Sequence, residues 1–295
     1  MTHFSYSKNS VVPLPSDLSS LLDREYVVQA VQNKRFENLA LAFQPQYHAK
    51  TGALVGFEIL SRFQHPRGYL IGPNEFIPSL HESNLLPVFD KTLLQHALSL
   101  MPQIHQAYGP KIRLSINISP VTLCHSDFLL HIQQIVKQTF VDPRLVCIEI
   151  TETENFLPNV EDLISVVQSI DDMGLQVSLD DFGTGYSTIK QLSTLAVSEI
   201  KLDRQFVKNI DTRKGRDIID AISNLGLVVA DQIVAEGIET PIQRDYFANH
   251  HYNYLLQGFL FSAPVLFTQL LQRETIVHIA TAARRQSCTH TVAAE

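Results

Sequence analysis

The 295-residue chain has only three cysteines, Cys124, Cys147 and Cys288, far apart and without a CxxC pair. Neither a disulfide framework nor a thiolate zinc site is indicated, and a reducing compartment fits best. Basic residues form no stripe or tail, and a net charge of −7 with a pI near 5.9 leaves no electrostatic footprint for long nucleic acid. A phosphodiester ligand would need help from metal ions. Long hydrophobic runs are missing too: the longest apolar stretch, Leu225 to Val234, is broken by Asp231 and Gln232 and falls well short of a spanning helix. Met1 to Ser10 is polar and has no apolar signal core. A soluble cytoplasmic protein with no membrane partner is expected. Internal repeats, low-complexity tracts, a Walker loop and an H-E-x-x-H pair are all missing, so the twelve histidines are assigned no ligand role.

What is present points to one large core. At 45% hydrophobic residues, a chain of this length can bury a single barrel-sized domain. From Leu39 onward, β-type runs alternate with longer helical patterns, the sign of repeated β/α units on a mainly parallel sheet. Eight strands are predicted: Leu39 to Tyr47, Leu54 to Phe63, Ile112 to Ser119, Leu145 to Thr151, Gln176 to Asp181, Glu199 to Asp203, Gln232 to Glu236 and Tyr254 to Phe261. Eight suggest a closed barrel. The first two are separated only by His48 to Ala53, too short for a crossover helix, so they should pair as an antiparallel hairpin. The expected fold class is therefore α/β, a modified TIM (β/α)8 barrel with an antiparallel first strand. Helices are predicted at Asp17 to Lys34, Pro87 to Ala107, Ser126 to Phe140, Val160 to Met173, Arg213 to Ala230 and Thr240 to His250. The chain divides into a lead-in segment at 1–37, a barrel domain at 38–275, and 276–295, which ends a last helix begun near Pro264 and frays from Arg284.

Glu58, Asn117, Glu149, Asp180, Asp181, Lys201, Glu236 and Gln257 fall within, or near the C-terminal ends of, seven of these eight strands. In a parallel barrel those ends converge on one face, where active sites lie. The Asp180-Asp181-Phe182-Gly183-Thr184-Gly185 stretch is not expected to belong to a core strand. Carboxylates this close repel: two unit charges about 4 Å apart cost several kcal/mol at an effective dielectric of ~20. Something cationic must sit among them. Carboxylates plus the Asn117 amide, with no His or Cys, are hard oxygen ligands that favour Mg²⁺ or Mn²⁺ over zinc, and Asp180 could bridge two such ions. Lys201 adds a fixed positive charge, and the set reads as metal-assisted phosphoryl chemistry. Taken singly, each residue has a plainer reading. The aspartates could cap a helix, Glu58 could be a buried acid paired with Arg62, Asn117 a turn residue and Lys201 a surface charge. Their joint placement favours a site.

Seven segments also resemble a family, in its order: Glu58-Ile59-Leu60, Ile116-Asn117-Ile118-Ser119, Glu149-Ile150-Thr151-Glu152, Asp180 to Ser187, Lys201-Leu202-Asp203-Arg204, Ala235 to Thr240 and Gln257-Gly258-Phe259. They are similar to the motifs of EAL-domain cyclic di-GMP phosphodiesterases, over about residues 38 to 270. The resemblance implies a bacterial enzyme that linearises cyclic di-GMP to pGpG with two Mg²⁺ or Mn²⁺ ions per site, Ca²⁺ being inhibitory. By position, Glu58, Asn117, Glu149, Asp180, Asp181 and Glu236 resemble the metal ligands. Lys201 resembles the residue that holds the attacking water, and Lys201, Glu236 and Glu58 form the catalytic group. Gln44, Arg62, Asp203 and Gln257 are similar to substrate-binding positions, Arg62 at a phosphate. Glu152 resembles the anchor of the Asp181-to-Ser187 loop, which in the family supports a homodimer.

Two departures stand out. Ile59 replaces the alanine of the name-giving tripeptide, and Ala230-Asp231-Gln232 replaces a Leu-Gly-Leu turn. Without that glycine a residue with a Cβ is expected in a left-handed conformation, at ~1 kcal/mol, which puts the placement of Glu236 in question. Two other functions stay open. A catalytically silent receptor or protein-interaction module would bind the nucleotide, or a regulatory protein partner, without cutting. A barrel enzyme using Lys201 as a base for proton abstraction would share the ligands but not the Gln44 and Arg62 pair.

Overall fold

The computed structural model describes residues 16–151, 160–183 and 195–272. Residues 1–15, the predicted tail from Arg284 and Glu152 lie outside that set. Strand β1 (Leu39–His48) follows helix α1 (Ser16–Gln32) and turns through Gly52, at φ 64, into β2 (Leu54–Gln64). The two pair antiparallel from Leu39↔Phe63 through Gln44↔Glu58, because so short a connection cannot carry a crossover. Next come β3 (Leu70–Ile71), α2 (Pro73–Glu82), α3 (Leu86–Tyr108), β4 (Arg113–Asn117), α4 (Pro120–Leu123), α5 (Phe128–Thr139), β5 (Val146–Thr151) and α6 (Val160–Asp172). The described chain then continues with β6 (Gln176–Phe182), β7 (Glu199–Leu202), α7 (Arg204–Val207), α8 (Arg213–Val229), β8 (Gln232–Ala235), α9 (Pro241–Ala248), β9 (Tyr254–Leu256), β10 (Val265–Leu266) and α10 (Phe267–Leu270).

Strands β2, β4, β5, β6, β7, β8 and β9 run parallel in that order, and β1 closes the ring between β9 and β2, antiparallel to both. This is the expected modified TIM barrel. Alternation along each strand sorts the side chains. One parity carries an apolar belt, including Phe57, Ile59, Leu114, Ile116, Ile148, Val177, Leu179, Ile200, Ile233 and Tyr254, all buried against the helical layer. Phe63, Phe76 and Phe89 interlock β2 with α2 and α3. Each such side chain contributes about 1.5–3 kcal/mol. The other parity points polar groups into the barrel, so the core lies outside the ring and the chemistry inside it.

Several boundaries differ from expectation. β9 stops at Leu256 rather than Phe261, because Gly258 packs directly on the backbone of Ile238, where a Cβ would meet the carbonyl oxygen at 2.2 Å. The chain after Pro264 forms β10 before α10 begins at Phe267. α2 is not among the predicted helices: its Pro73 and Pro78 suggest a loop, yet Pro73 occupies the first helical turn, where a missing N–H costs nothing. Among the described residues no helix is long and apolar enough to cross a membrane.

Candidate active site

Glu58 on β2, Glu149 on β5 and Lys201 on β7 share the inward parity and are buried. Lys201 Nζ lies 2.8 Å from Glu236 Oε1, 2.9 Å from Glu149 Oε2, 3.3 Å from Asp180 Oδ1 and 3.5 Å from Glu58 Oε1. Asn117, at the end of β4, donates from Nδ2 to Glu58 Oε1 at 2.9 Å, which leaves its carbonyl oxygen as the end suited to a cation. Four strand ends from distant parts of the sequence thus meet around one ammonium.

The two aspartates reach this point by a device the sequence does not announce. β6 runs through both of them and on to Phe182, one residue past the predicted end at Asp181, and its register with β7 slips between Leu179↔Ile200 and Phe182↔Leu202. That is a β-bulge. Asp181 takes the left-handed conformation, φ 56, which Asp tolerates better than most residues, and its N–H donates to Asp180 Oδ1 at 2.9 Å. As a result Asp180, Asp181 and Glu236 bring one carboxylate oxygen each within 4.8 Å of one another, half-buried at the rim.

Glu236 is placed without the strain expected of the Ala230 turn. Ala230 is extended, φ −141 and ψ 154, and its N–H closes α8 on Gly226 O at 2.9 Å, so no left-handed residue is needed. Strand β8 ends one residue earlier than predicted, but the Glu236 N–H still donates to Leu202 O. Ile59 lies on the outer parity, buried, and does not crowd Glu58.

Burial opposes charge on this cluster, and the neighbours decide each outcome. Lys201 overcomes it because four carboxylates surround it, and its ammonium is held well above its ordinary range. Burial, reinforced by Glu58 and Asp180, pushes Glu149 well up despite Lys201. Burial likewise raises Glu236 to about 8, with Asp180 and Glu58 adding to it against Lys201. Burial and then Asp180 raise Asp181 to about 6. Glu58 goes the other way: burial raises it, but Lys201 and the Gln257 and Asn117 donors outweigh that. The Lys201 ammonium does not keep Glu236 ionised at neutral pH, whereas a divalent cation among these acids would reverse the upward shifts. Glu149 Oε1, buried and without a hydrogen-bond partner among the described residues, fits the same conclusion. The donor set is hard oxygen throughout.

Gln257 donates to Gln44 Oε1 at 3.1 Å and to Glu58 Oε2. Arg62 shares the inward face but donates to Ser61 O at 2.7 Å, and Glu58 pairs with Lys201 rather than with it. Asp203 Oδ1 accepts from Gln205 N at 2.7 Å and caps α7 while lying beside Asp181. A cavity of about 500 Å³ runs from Glu58, Asn117 and Asp180 to an apolar wall that includes Ile77, Leu86 and Phe89. Asp90, buried, anchors the β4–α4 turn by accepting from Ser119 N and from the Ser119 and Thr122 hydroxyls. Sequence reasoning missed it, and also Gln46, Arg113 and Glu199 below the site. Their signal was parity: Gln46 shares that of Gln44, and Arg113 that of Asn117.

A closed barrel with an acidic, lysine-centred mouth is the class that fold and site define. A profile of the EAL domain matches residues 24–264, and the chain belongs to the EAL domain family. It is 30% identical over 244 residues to the bifunctional diguanylate cyclase/cyclic di-GMP phosphodiesterase MucR of Pseudomonas aeruginosa, covering 82% of this chain and 35% of that protein. It is 30% identical over 243 residues to the cyclic di-GMP phosphodiesterase PdeL of Escherichia coli, covering 82% of this chain and 66% of that one. Among solved structures it matches the PaMucR phosphodiesterase in complex with c-di-GMP, with a TM-score of 0.75 and 28% identity, over 84% of this chain and 99% of that one. The chain thus spans about a third of MucR's length.

Proposed function

We propose that this chain hydrolyses cyclic di-GMP to linear pGpG with the help of Mg²⁺ or Mn²⁺, and that it acts as a homodimer inhibited by Ca²⁺. The observation that carries the reading is the crowding of Glu58, Glu149, Asp180, Asp181 and Glu236 around Lys201, beside a cavity of about 500 Å³. A pure binding site gains nothing from holding mutually repelling acids together. Relatives named for cyclic di-GMP hydrolysis supply the substrate class.

Asp180, Asp181 and Glu236 would hold one cation, and Glu58, Asn117 and Glu149 with Asp180 a second. Such ions supply Lewis-acid charge to a phosphoryl oxygen and make water more acidic. The chain's own groups do the rest. Lys201, a donor-only ammonium that stays protonated, orients the attacking water, and Glu236 is the nearest carboxylate to receive its proton. Arg62 stabilises charge on the phosphoryl oxygens, Gln44 and Asp203 hold the nucleotide, and Gln257 fixes Glu58. The apolar cavity wall suits a planar base.

Glu58→Ala separates this reading from a silent receptor. Purified wild-type protein with Mn²⁺ should form pGpG, and the variant should lose at least a hundredfold in turnover together with cation binding. Wild-type protein that binds cyclic di-GMP and releases it uncut would defeat the catalytic reading in favour of the receptor.

A further inference from the structure

Below the acids, the inward parity continues with polar side chains that the proposed chemistry does not use. Arg113, two inward positions below Asn117 on β4, pairs across the barrel with Glu199 at the base of β7, 2.5 Å apart, and the two are 7% and 1% exposed. Gly56 sits opposite Arg113 in the β2–β4 register and leaves it room: a Cβ there would come within 2.4 Å of Arg113 Cγ. From this base a single chain of hydrogen bonds climbs to the site. Arg113 Nη2 donates to Gln46 Oε1 at 2.8 Å, and Gln46 Nε2 donates to Gln257 Oε1 at 2.9 Å. Gln257 Nε2 in turn donates to Gln44 Oε1 at 3.1 Å and to Glu58 Oε2.

The two ends set the direction. A guanidinium only donates and a carboxylate only accepts, whereas a glutamine amide can be turned over to do either. With Arg113 below and Glu58 above, only one orientation of Gln46 and one of Gln257 satisfies every bond. Turning either amide would oppose two donors or set a carbonyl against the Glu58 carboxylate.

We propose that Arg113 is a positioning residue: acting through Gln46 from the base of the barrel, it fixes which end of the Gln257 amide faces Glu58 and so holds that carboxylate in its orientation. The inference rests on the reading of Glu58 as a metal ligand. Partners of this kind, one step removed from a ligand, typically tune metal affinity ten- to a hundredfold.

Two sets of substitutions test it. Gln46→Met breaks the link with an apolar side chain of similar length and leaves the Arg113–Glu199 pair intact. Arg113→Met combined with Glu199→Met removes that pair as a unit, so no lone charge is left buried. Each protein is titrated with Mn²⁺. The side-chain amide signal of Gln257 is followed in protein labelled with ¹⁵N-glutamine and identified by its loss in Gln257→Met. Circular dichroism establishes the fold. The proposal expects folded proteins that bind Mn²⁺ about tenfold or more weakly, with a displaced Gln257 signal. A purely structural role predicts a lower unfolding temperature with Mn²⁺ affinity and the amide signal unchanged, and that result overturns it. Should the unsubstituted protein bind no Mn²⁺, the metal reading fails while the amide signal still decides the relay, displacement sustaining it and constancy overturning it.

Discussion

Raising the pH should destabilise this protein in a chelator, and a divalent cation should remove the effect. Burial, with Asp180 and Glu58, raises Glu236 from the usual 4.5 to about 8. Between those values the native state holds a proton that the unfolded chain has released, so the contribution of Glu236 to stability is full below pH 4.5 and is lost as pH rises through 8. From pH 6 to pH 8 the loss from Glu236 alone is about 2 kcal/mol at ~1.4 kcal/mol per pH unit, tapering near 8. For a chain of this size that lowers the unfolding midpoint by roughly 3–4 °C. A cation replaces the proton, and at a hundred times its Kd it adds about 2.7 kcal/mol, more at pH 8 than at pH 6. Scanning calorimetry at pH 6, 7 and 8, in chelator and in saturating Mg²⁺, measures both slopes. Glu236→Gln, a neutral isostere, should flatten the chelator slope. A wild-type midpoint that does not fall from pH 6 to pH 8 in chelator, or a variant that keeps the wild-type slope, would refute the electrostatic reasoning.

Other substitutions probe the same architecture. Lys201→Met leaves four buried or half-buried acids without their ammonium and should cost about 3–5 kcal/mol in chelator, with the loss read by urea unfolding and partly restored by Glu236→Gln. Ile59→Ala restores the family's residue but opens space in a core packed around isoleucine, so stability should fall by about 2–5 kcal/mol while Mn²⁺ affinity stays within a few-fold. Gly258→Ala forces a Cβ to within 2.3 Å of the Ile238 backbone nitrogen, next to Gln257. It should cost about 1–3 kcal/mol and also reduce turnover, and unchanged kinetics would show that the end of β9 is not critical for Gln257.

Much of the architecture was legible because it rests on period and spacing. The short His48-to-Ala53 connection dictated the hairpin, and parity placed Glu58, Asn117, Glu149 and Lys201 on one side of their strands. What stayed hidden depends on partners remote in sequence. Asp180-Asp181 looks like the end of a strand because the bulge exists only in register with β7. The Ala230 turn looked strained because glycine is the usual way to end a helix, while the extended residue seen here leaves no mark in the sequence. Arg113 and Gln46 alternate with apolar neighbours as any half-exposed strand residue would, and only ring closure turns them inward. The loop that Glu152 is expected to anchor lies mostly outside the described residues.

The most direct measurement is the product formed when purified protein is incubated with cyclic di-GMP and Mn²⁺, followed by chromatography against a chelator control. Formation of pGpG that stops in the chelator and in Asp180→Asn is the predicted result. Substrate left intact with Mn²⁺ bound, or cleavage that continues at full rate in the chelator, would contradict the account.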